Sequence, residues 1–352
     1  MFLNLQRSFV RGTLAKGGIS TSTLRGEHSR NSFVIRVGLV GTGYAAKLRA
    51  EAVNQDDRAK LVGVAGHQPD KTAEFGHTHQ TQAFNAWQEL IQAVDLVIIC
   101  GVNSEHSEIA ESALESGRHV VVEYPLAIDL ESATRVIELA HARNRLLHVE
   151  HIEILGGVHQ AFLRSLSQVG TPFYARYATA TPQHPAPPKW TYTRSLFGFP
   201  LVGALSRLHR LIHGFGQVES VSCQNRYWNL NADRYTGCLC KAQLQFKNGV
   251  IADVVYGKGE TLWTPERKLE VQGDRGALIF DGDEGAFVNS EGVSAIEVGA
   301  RRGLFTKDTS AVLDHLLNGS PLYVQPEESL YTLKVAIAAQ RSAEQGQTIA
   351  IE

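Results

Sequence analysis

Between residues 34 and 150 the chain alternates two hydrophobic rhythms. Runs that are apolar at most positions, 34–40, Ala59–Ala65, 94–100, His119–Val122 and 146–150, predict strands buried on both faces. Between them lie stretches with apolar residues three and four apart. These are Trp87–Ala93, Leu130–Arg143 and 105–116, where Ile109, Ala110, Ala113 and Leu114 share one face. Such alternation predicts right-handed crossovers and a parallel sheet covered by helices, an α/β doubly wound domain over 32–150.

From residue 172 the rhythm changes. Segments 173–178, 218–226, 239–246, 250–255 and 268–272 are β-rich or alternate polar with apolar. Turn signals separate them at Lys247-Asn248-Gly249 and Gly273-Asp274-Arg275-Gly276. The expectation is a second, α+β domain over 151–352 with a large open, mostly antiparallel sheet. A helix is predicted over 201–212, and Pro326–Gln345 reads as a helix that packs back on the first domain.

Residues 1–31 fit neither rhythm. Arg7, Arg11, Lys16, Arg25 and Arg30 face a single acid, Glu27, amid Ser, Thr and Gly. Arg- and Ser-rich, acid-poor segments are found as organelle transit peptides; the plainer reading, a disordered leader, is preferred. The expected location is cytoplasmic, or the plastid stroma if the segment is a transit peptide.

The sharpest chemical signal is where the first strand runs into Gly41-Thr42-Gly43-Tyr44-Ala45-Ala46 and then a helix. A strand, glycine turn and helix make a cradle for a pyrophosphate. Gly41 permits the tight turn, Gly43 allows close approach of backbone to phosphate, and Ala46 lets helix and strand pack. The helix N-terminus offers N–H groups to the anion. At the end of the second strand, Val64-Ala65-Gly66-His67-Gln68 lacks the acid that binds the ribose 2′-hydroxyl of NAD. Asp70 reads as the cap of the next helix. His67 and Lys71 either face a 2′-phosphate or belong to a solvated loop, and NADPH is expected over NADH. Ligands in such sheets lie beyond the carboxyl ends of strands. That singles out Gly101-Val102-Asn103-Ser104-Glu105-His106 and Glu123-Tyr124-Pro125.

Composition narrows the function classes. At 352 residues, 43% apolar and 20% charged, with net charge −2, the chain suits two soluble domains and shows no basic surface for nucleic acid. No apolar run approaches the roughly 20 residues a membrane helix needs. Cys100, Cys223, Cys238 and Cys240 lack metal or disulfide spacing and read as packing residues in a reducing compartment, Cys238 and Cys240 sharing a strand face. His148, Glu150 and His151 lie at the domain junction without an HExxH spacing, so no metal is expected. The oligomeric state is left open.

With these motifs the chain resembles the glucose-fructose oxidoreductase, inositol dehydrogenase and rhizopine-catabolism (Gfo/Idh/MocA) superfamily. Asn103 and His106 match its Asn-x-x-His element, and Glu123-Tyr124-Pro125 stands at its Glu-Lys-Pro element. Polyol and sugar dehydrogenases of that superfamily use the lysine with an Asp-x-x-x-His pair. Here Tyr124 replaces the lysine, and an ungapped match through Gly203-Ala204-Leu205 puts Arg207 at the Asp and Leu211 at the His. The equipment for oxidising a secondary alcohol is missing.

The stretches 37–46 (VGLVGTGYAA), 148–160 (HVEHIEILGGVHQ), 197–207 (FGFPLVGALSR), 256–260 (YGKGE) and 301–305 (RRGLF) look like the biliverdin-reductase branch, cyanobacterial type. The resemblance implies NADPH-dependent reduction of biliverdin at its central methine bridge, with NADH a weaker donor. It implies Arg207 as the catalytic charge, with a surface arginine on an amphipathic helix as the alternative, and Tyr124 against nicotinamide or pigment. Gly41, Thr42, Gly43, Tyr44, Ala45, Ala46, His67, Gly101, Asn103, His106 and Glu123 are the expected cofactor contacts. Arg210 and Lys189 are the candidates for the pigment's propionates. Two other readings are a sugar or polyol dehydrogenase with displaced catalytic groups and a non-catalytic NADP-binding regulator.

Overall fold

The computed structural model describes residues 34–352; the segment 1–31 lies outside the described residues, and both readings of it remain expectations. Six strands, β1 (Ile35–Val40), β2 (Ala59–Ala65), β3 (Gln82–Phe84), β4 (Leu96–Ile99), β5 (His119–Val122) and β6 (Leu147–Val149), form one sheet in the order β3-β2-β1-β4-β5-β6. Every pairing in it is parallel. All four residues of β4 are buried, as a central parallel strand requires. The strand order reverses between β1 and β4, which opens a crevice beyond their carboxyl ends.

A second sheet has nine strands: β7 (Pro172–Pro182), β8 (Val218–Trp228), β9 (Gly237–Phe246), β10 (Ile251–Gly259), β11 (Glu266–Gly273), β12 (Gly276–Asp281), β13 (Glu284–Asn289), β14 (Gly292–Ile296) and β15 (Ile349–Ala350). Their order is β14-β13-β12-β11-β7-β10-β9-β8-β15, and only β7 and β10 run parallel. Alternation along β9 puts Cys238 and Cys240 on its buried face. One hydrophobic core joins Val122 and Val149 of the first sheet, Leu205 and Leu208 of the helical segment, and Val254 and Leu269 of the second sheet. Helix Pro326–Gln345 lies against β8 and against helix Leu130–Arg143.

Three readings need correction. Asp70 does not cap its helix: Gln68 is the N-cap and Pro69 opens Pro69–Thr78, so Asp70 sits in the first turn, where its charge faces the positive end of the dipole. The helix expected over 201–212 is two pieces, Pro200–Gly203 and Ser206–Phe215. Ala204 leaves helical dihedrals between them, and the Phe197 ring fills the space beside Gly203, 2.5 Å from where a Cβ would stand. Helix 105–116 begins as a tight turn at Asn103–Glu105 and becomes regular at His106–Glu115. Among the described residues no helix is long and apolar enough to cross a membrane.

Candidate active site

At the end of β1, Gly41 has φ +122°, and a Cβ there would stand 2.7 Å from the Cys100 carbonyl oxygen. Only glycine fits this turn. Gly43 is different: its backbone is ordinary, and a Cβ would meet no protein atom within 4 Å. Glycine there keeps open a space that the protein itself leaves unfilled. Helix Tyr44–Asn54 starts beside it with no side-chain cap and no acid in its first turn, leaving its N–H groups to an anion. Ala46 is buried against the strands. A cavity of about 380 Å3 on one side of the turn is lined by Gly41, Gly66, His67, Trp87, Gly101 and Glu105, a shape suited to an adenosine. His67 Nε2 lies 2.8 Å from Glu105 Oε2, so the end of β2 does have an acid beside it, contributed from beyond β4 rather than by β2.

Other expected cofactor residues are tied to the protein. Asn103 donates from Nδ2 to the Phe197 carbonyl at 3.0 Å, joining the loop after β4 to the loop before Pro200. His106 is buried and donates from Nδ1 to the Pro125 carbonyl at 2.8 Å, and burial lowers its pKa, keeping the ring neutral. Glu123 accepts from Arg49 Nε at 3.0 Å. Arg49, fully buried on the helix after the glycine turn, also pairs with Asp308, which accepts from His148 Nε2 at 2.8 Å. These three expected contacts therefore fix the loops around the crevice through their side chains. Tyr44 is exposed, its ring edge-on to Phe305 at 6.5 Å.

The reactive end lies where the loop after β5 meets helix Ser206–Phe215 and the face of the second sheet. The Tyr124 ring stacks parallel on His151 at 5.3 Å. Its hydroxyl accepts from Ser206 Oγ at 3.0 Å and from Arg207 Nη1 at 3.5 Å. Arg207 Nη1 donates to Ser206 Oγ at 2.7 Å and lies 3.4 Å from Glu153 Oε1. Beneath it are Thr179 of β7, 3.5 Å from Nε, and the Tyr256 ring of β10, 5.7 Å from the guanidinium carbon. Thr179 and Tyr256 are register partners, so both project from the same sheet face. Arg210, one turn on, reaches Glu153 Oε2 at 3.7 Å and lies over the Tyr177 ring at 5.1 Å.

Burial pushes the Tyr124 phenol well above its usual 10, with the Glu153 charge adding to the rise and Arg207 opposing it. Burial alone would raise Glu153, but Arg207, Arg210 and Arg267 outweigh it and hold the carboxyl below its ordinary value. Burial disfavours the charge on Arg207, yet Glu153 and the surrounding phenols raise its pKa further. The site is thus a fixed cation beside a neutral phenol and a carboxylate. Leu211, where a dehydrogenase would place its histidine, is fully buried in the core.

Sequence reasoning missed Glu153, Ser206, Thr179 and Tyr256 as partners of Arg207. Glu153, Ser206 and Tyr256 lie inside stretches singled out for resemblance, but only the tertiary fold aims them at the guanidinium. Lys189 is not brought to this centre; it is exposed on the proline-rich loop before Trp190 and lines none of the cavities described here. His148, Glu150 and His151 turn to separate partners: Asp308, the Ile152 amide and Ser329. Lys258 of the YGKGE stretch is caged by Tyr192, Phe197 and Tyr235, its ammonium 3.9 Å from the Phe197 centroid, and burial lowers its pKa to about 8.

The glycine turn at a strand-order reversal and the second sheet facing it recur in known proteins. Residues 35–151 match the oxidoreductase family with an NAD-binding Rossmann fold, and residues 167–351 match its C-terminal alpha/beta domain. The chain belongs to the Gfo/Idh/MocA oxidoreductase family. It is 48% identical to a biliverdin reductase from Synechocystis solved in complex with biliverdin and NADP+, with a TM-score of 0.86, covering 88% of this chain and 99% of that one. Mouse biliverdin reductase A is 25% identical over 309 residues, 87% of this chain and 95% of the relative. Myo-inositol 2-dehydrogenase of Thermotoga maritima is 23% identical over 345 residues, 90% and 99%. As a member of this family, the chain is an oxidoreductase.

Proposed function

We propose that the protein is a biliverdin reductase that takes its electrons from NADPH. The observation that carries this reading is the pairing of Arg207 with Tyr124 where a sugar dehydrogenase of the family needs an acid/base set. Removing a proton from a hydroxyl requires a base; a permanent cation and a phenol held neutral by burial do not supply one, and the Glu153 carboxylate, held below its ordinary pKa by Arg207, Arg210 and Arg267, is a weak one. Reducing a conjugated bridge has another demand: carbon C10 gains a hydride, a pyrrole nitrogen gains a proton, and negative charge spreads through the tetrapyrrole between those events. A guanidinium beside the ring stabilises that charge more in the transition state than in the ground state.

The glycine turn and the uncapped helix at Tyr44 fit a pyrophosphate. Lys71 in the next helix, and His67 once it turns from Glu105, are the basic residues near the end of β2 for a 2′-phosphate. The Synechocystis relative, which binds NADP+ and biliverdin, supports the same pair of ligands for this chain. NADPH bound there supplies the hydride. Tyr124 forms one wall for the nicotinamide or pigment, and its stack on His151 keeps the ring from turning. Since arginine does not release its proton, Arg207 acts as the electrostatic partner that organises proton delivery. Ser206 and Glu153 hold its guanidinium in place.

Mixing the purified protein with NADPH and biliverdin tests the reading. Loss of the biliverdin absorption band with growth of the bilirubin band is the expected result. No spectral change at any pH, with NADPH demonstrably bound, overturns it and leaves a non-catalytic NADP-binding protein. Oxidation of a polyol with no action on biliverdin returns the chain to the dehydrogenases.

A further inference from the structure

Beside the glycine turn, away from the adenosine cavity, a second cavity of about 500 Å3 is rimmed by Arg210, Arg267, Arg301 and Arg302, with Glu153 its one acid. Three helices begin at its wall: Tyr44–Asn54, Gly157–Ser165 and Leu304–Asn318. Each has a glycine N-cap, no side-chain cap and no acid in its first turn. Helix N-termini alone would only favour an anion there. The arginines add a stronger requirement.

Arg210 is 2% exposed, and its Nε and Nη1 have no hydrogen-bond partner. Leaving buried guanidinium donors unpaired is costly, so a ligand that accepts from them gains that energy on binding. The charges do not balance either. Arg207, Arg210 and Arg267 all act on the single carboxylate of Glu153, so positive charge is in excess around it. Arg301 is partly neutralised by Asp283, 3.1 Å away. Arg302 stands exposed at the rim.

We infer that this cavity receives the two carboxylates of the substrate: Arg210 and Arg267 pair with them at its base, and Arg302 and the N-termini of Gly157–Ser165 and Leu304–Asn318 complete the rim, while the Tyr44–Asn54 N-terminus stays with the cofactor. The inference rests on the bilin-reductase reading, keeps Arg210 as a propionate partner and puts Arg267 in the place of Lys189. It also makes the cavity a specificity device, because a neutral pigment leaves the Arg210 donors unpaired.

The test compares biliverdin with its dimethyl ester in the intact protein and in the variants Arg267→Ala and Arg302→Ala. Neither arginine is fully buried, so both variants should fold. Charge-assisted hydrogen bonds of this kind are worth about tenfold to a hundredfold in affinity. The expected result for Arg267→Ala is a KM for biliverdin at least about tenfold higher, with a smaller rise for Arg302→Ala. In both, NADPH affinity stays within about twofold and the change falls mainly on KM, with a smaller effect on kcat in Arg267→Ala because that residue also acts on Glu153. The ester should show the raised KM already in the parent protein, with little further change in the variants. Equal KM for acid and ester in the parent, equal losses for both pigments in the variants, or weakened NADPH binding would each overturn the assignment. An absorbance titration of biliverdin onto the protein separates this from the reaction itself. Tight binding that Arg267→Ala weakens, with no turnover in any protein, sinks the reductase reading and leaves the carboxylate site standing.

Discussion

Glu153 Oε1 lies 3.4 Å from Arg207 Nη1, in a place where neither side chain is more than about one-fifth exposed. Away from bulk water such a pair is weakly screened. The carboxylate, Ser206 and Tyr124 all gather around Nη1, and Thr179 accepts from Nε, which together fix where the guanidinium points. Arg207 is therefore placed before any pigment arrives, and the electrostatic role proposed for it costs little reorganisation.

Replacing Arg207 with Ala should lower kcat for biliverdin by about a hundredfold to a thousandfold, the range for losing one preorganised charge or donor in an active site. NADPH affinity should stay within about twofold, since Arg207 makes no contact with the glycine turn. Arg207→Lys should recover only part of the rate, because a single ammonium cannot reach the Ser206, Tyr124 and Glu153 cluster and Thr179 at once, as Nη1 and Nε of the rigid guanidinium do. Steady-state kinetics with a separate fluorescence titration of NADPH decides it; unchanged turnover in the Ala variant removes Arg207 from the site.

Two glycines of the same turn should respond differently. A side chain at Gly43 meets no protein atom within 4 Å, so Gly43→Val should fold normally and lose NADPH affinity by tenfold or more, in about the range of one blocked contact. Gly41 combines φ +122° with a Cβ clash on the Cys100 carbonyl, so Gly41→Ala should destabilise the fold by about 1–3 kcal/mol. Urea unfolding and NADPH titration on both variants test the contrast. Normal NADPH affinity in Gly43→Val contradicts the turn's role.

Much of the Rossmann half was legible because its signals are local. β2, β5 and the helices Trp87–Ala93 and Leu130–Arg143 have the bounds that periodicity predicts, since strands buried on both faces leave no polar alternation to confuse the reading. Segments with a half-exposed pattern were harder. Strands β13 and β14 were not anticipated, because much of β13 and all but the last residue of β14 are accessible and lack a clear hydrophobic face. In the site, Arg207 and Tyr124 were nameable from motif position. Glu153 was not, as nothing in the chain says that a residue 54 positions earlier closes on Arg207. Glu105 near His67 escaped for the same reason, its acid arriving from another strand end.

Glu150 gives the fold a pH dependence of known sign. Burial, then the Glu123 charge, raises its carboxyl well above the ordinary value. A carboxyl that binds its proton more tightly folded than unfolded costs nothing below the unfolded pKa of about 4.3, and costs progressively more stability as pH rises from there toward the folded value. Glu150→Gln keeps an oxygen for the Ile152 amide and removes the ionisable group. Its stability relative to the parent should therefore improve from pH 5 to pH 8. Urea unfolding at the two pH values measures this, and a gap that shrinks with pH contradicts the assignment.

Tyr124 is the remaining group that a proton-transfer mechanism would recruit. Its phenol is pushed upward by burial, so it stays neutral throughout any working pH range. Phe at this position keeps the ring stacked on His151 and removes the acceptor for Ser206 and Arg207. A lost hydrogen bond to the charged partner should lower kcat by about tenfold. The shape of the pH–rate profile between pH 6 and pH 9 should be the same in Tyr124→Phe as in the parent, because no ionisation of Tyr124 falls in that window. An alkaline limb present in the parent and absent from the Phe variant would show the phenol titrating within reach of pH 9. Arg207 would then be the group that tunes a tyrosine acid, and direct proton donation from Tyr124 would replace the electrostatic account.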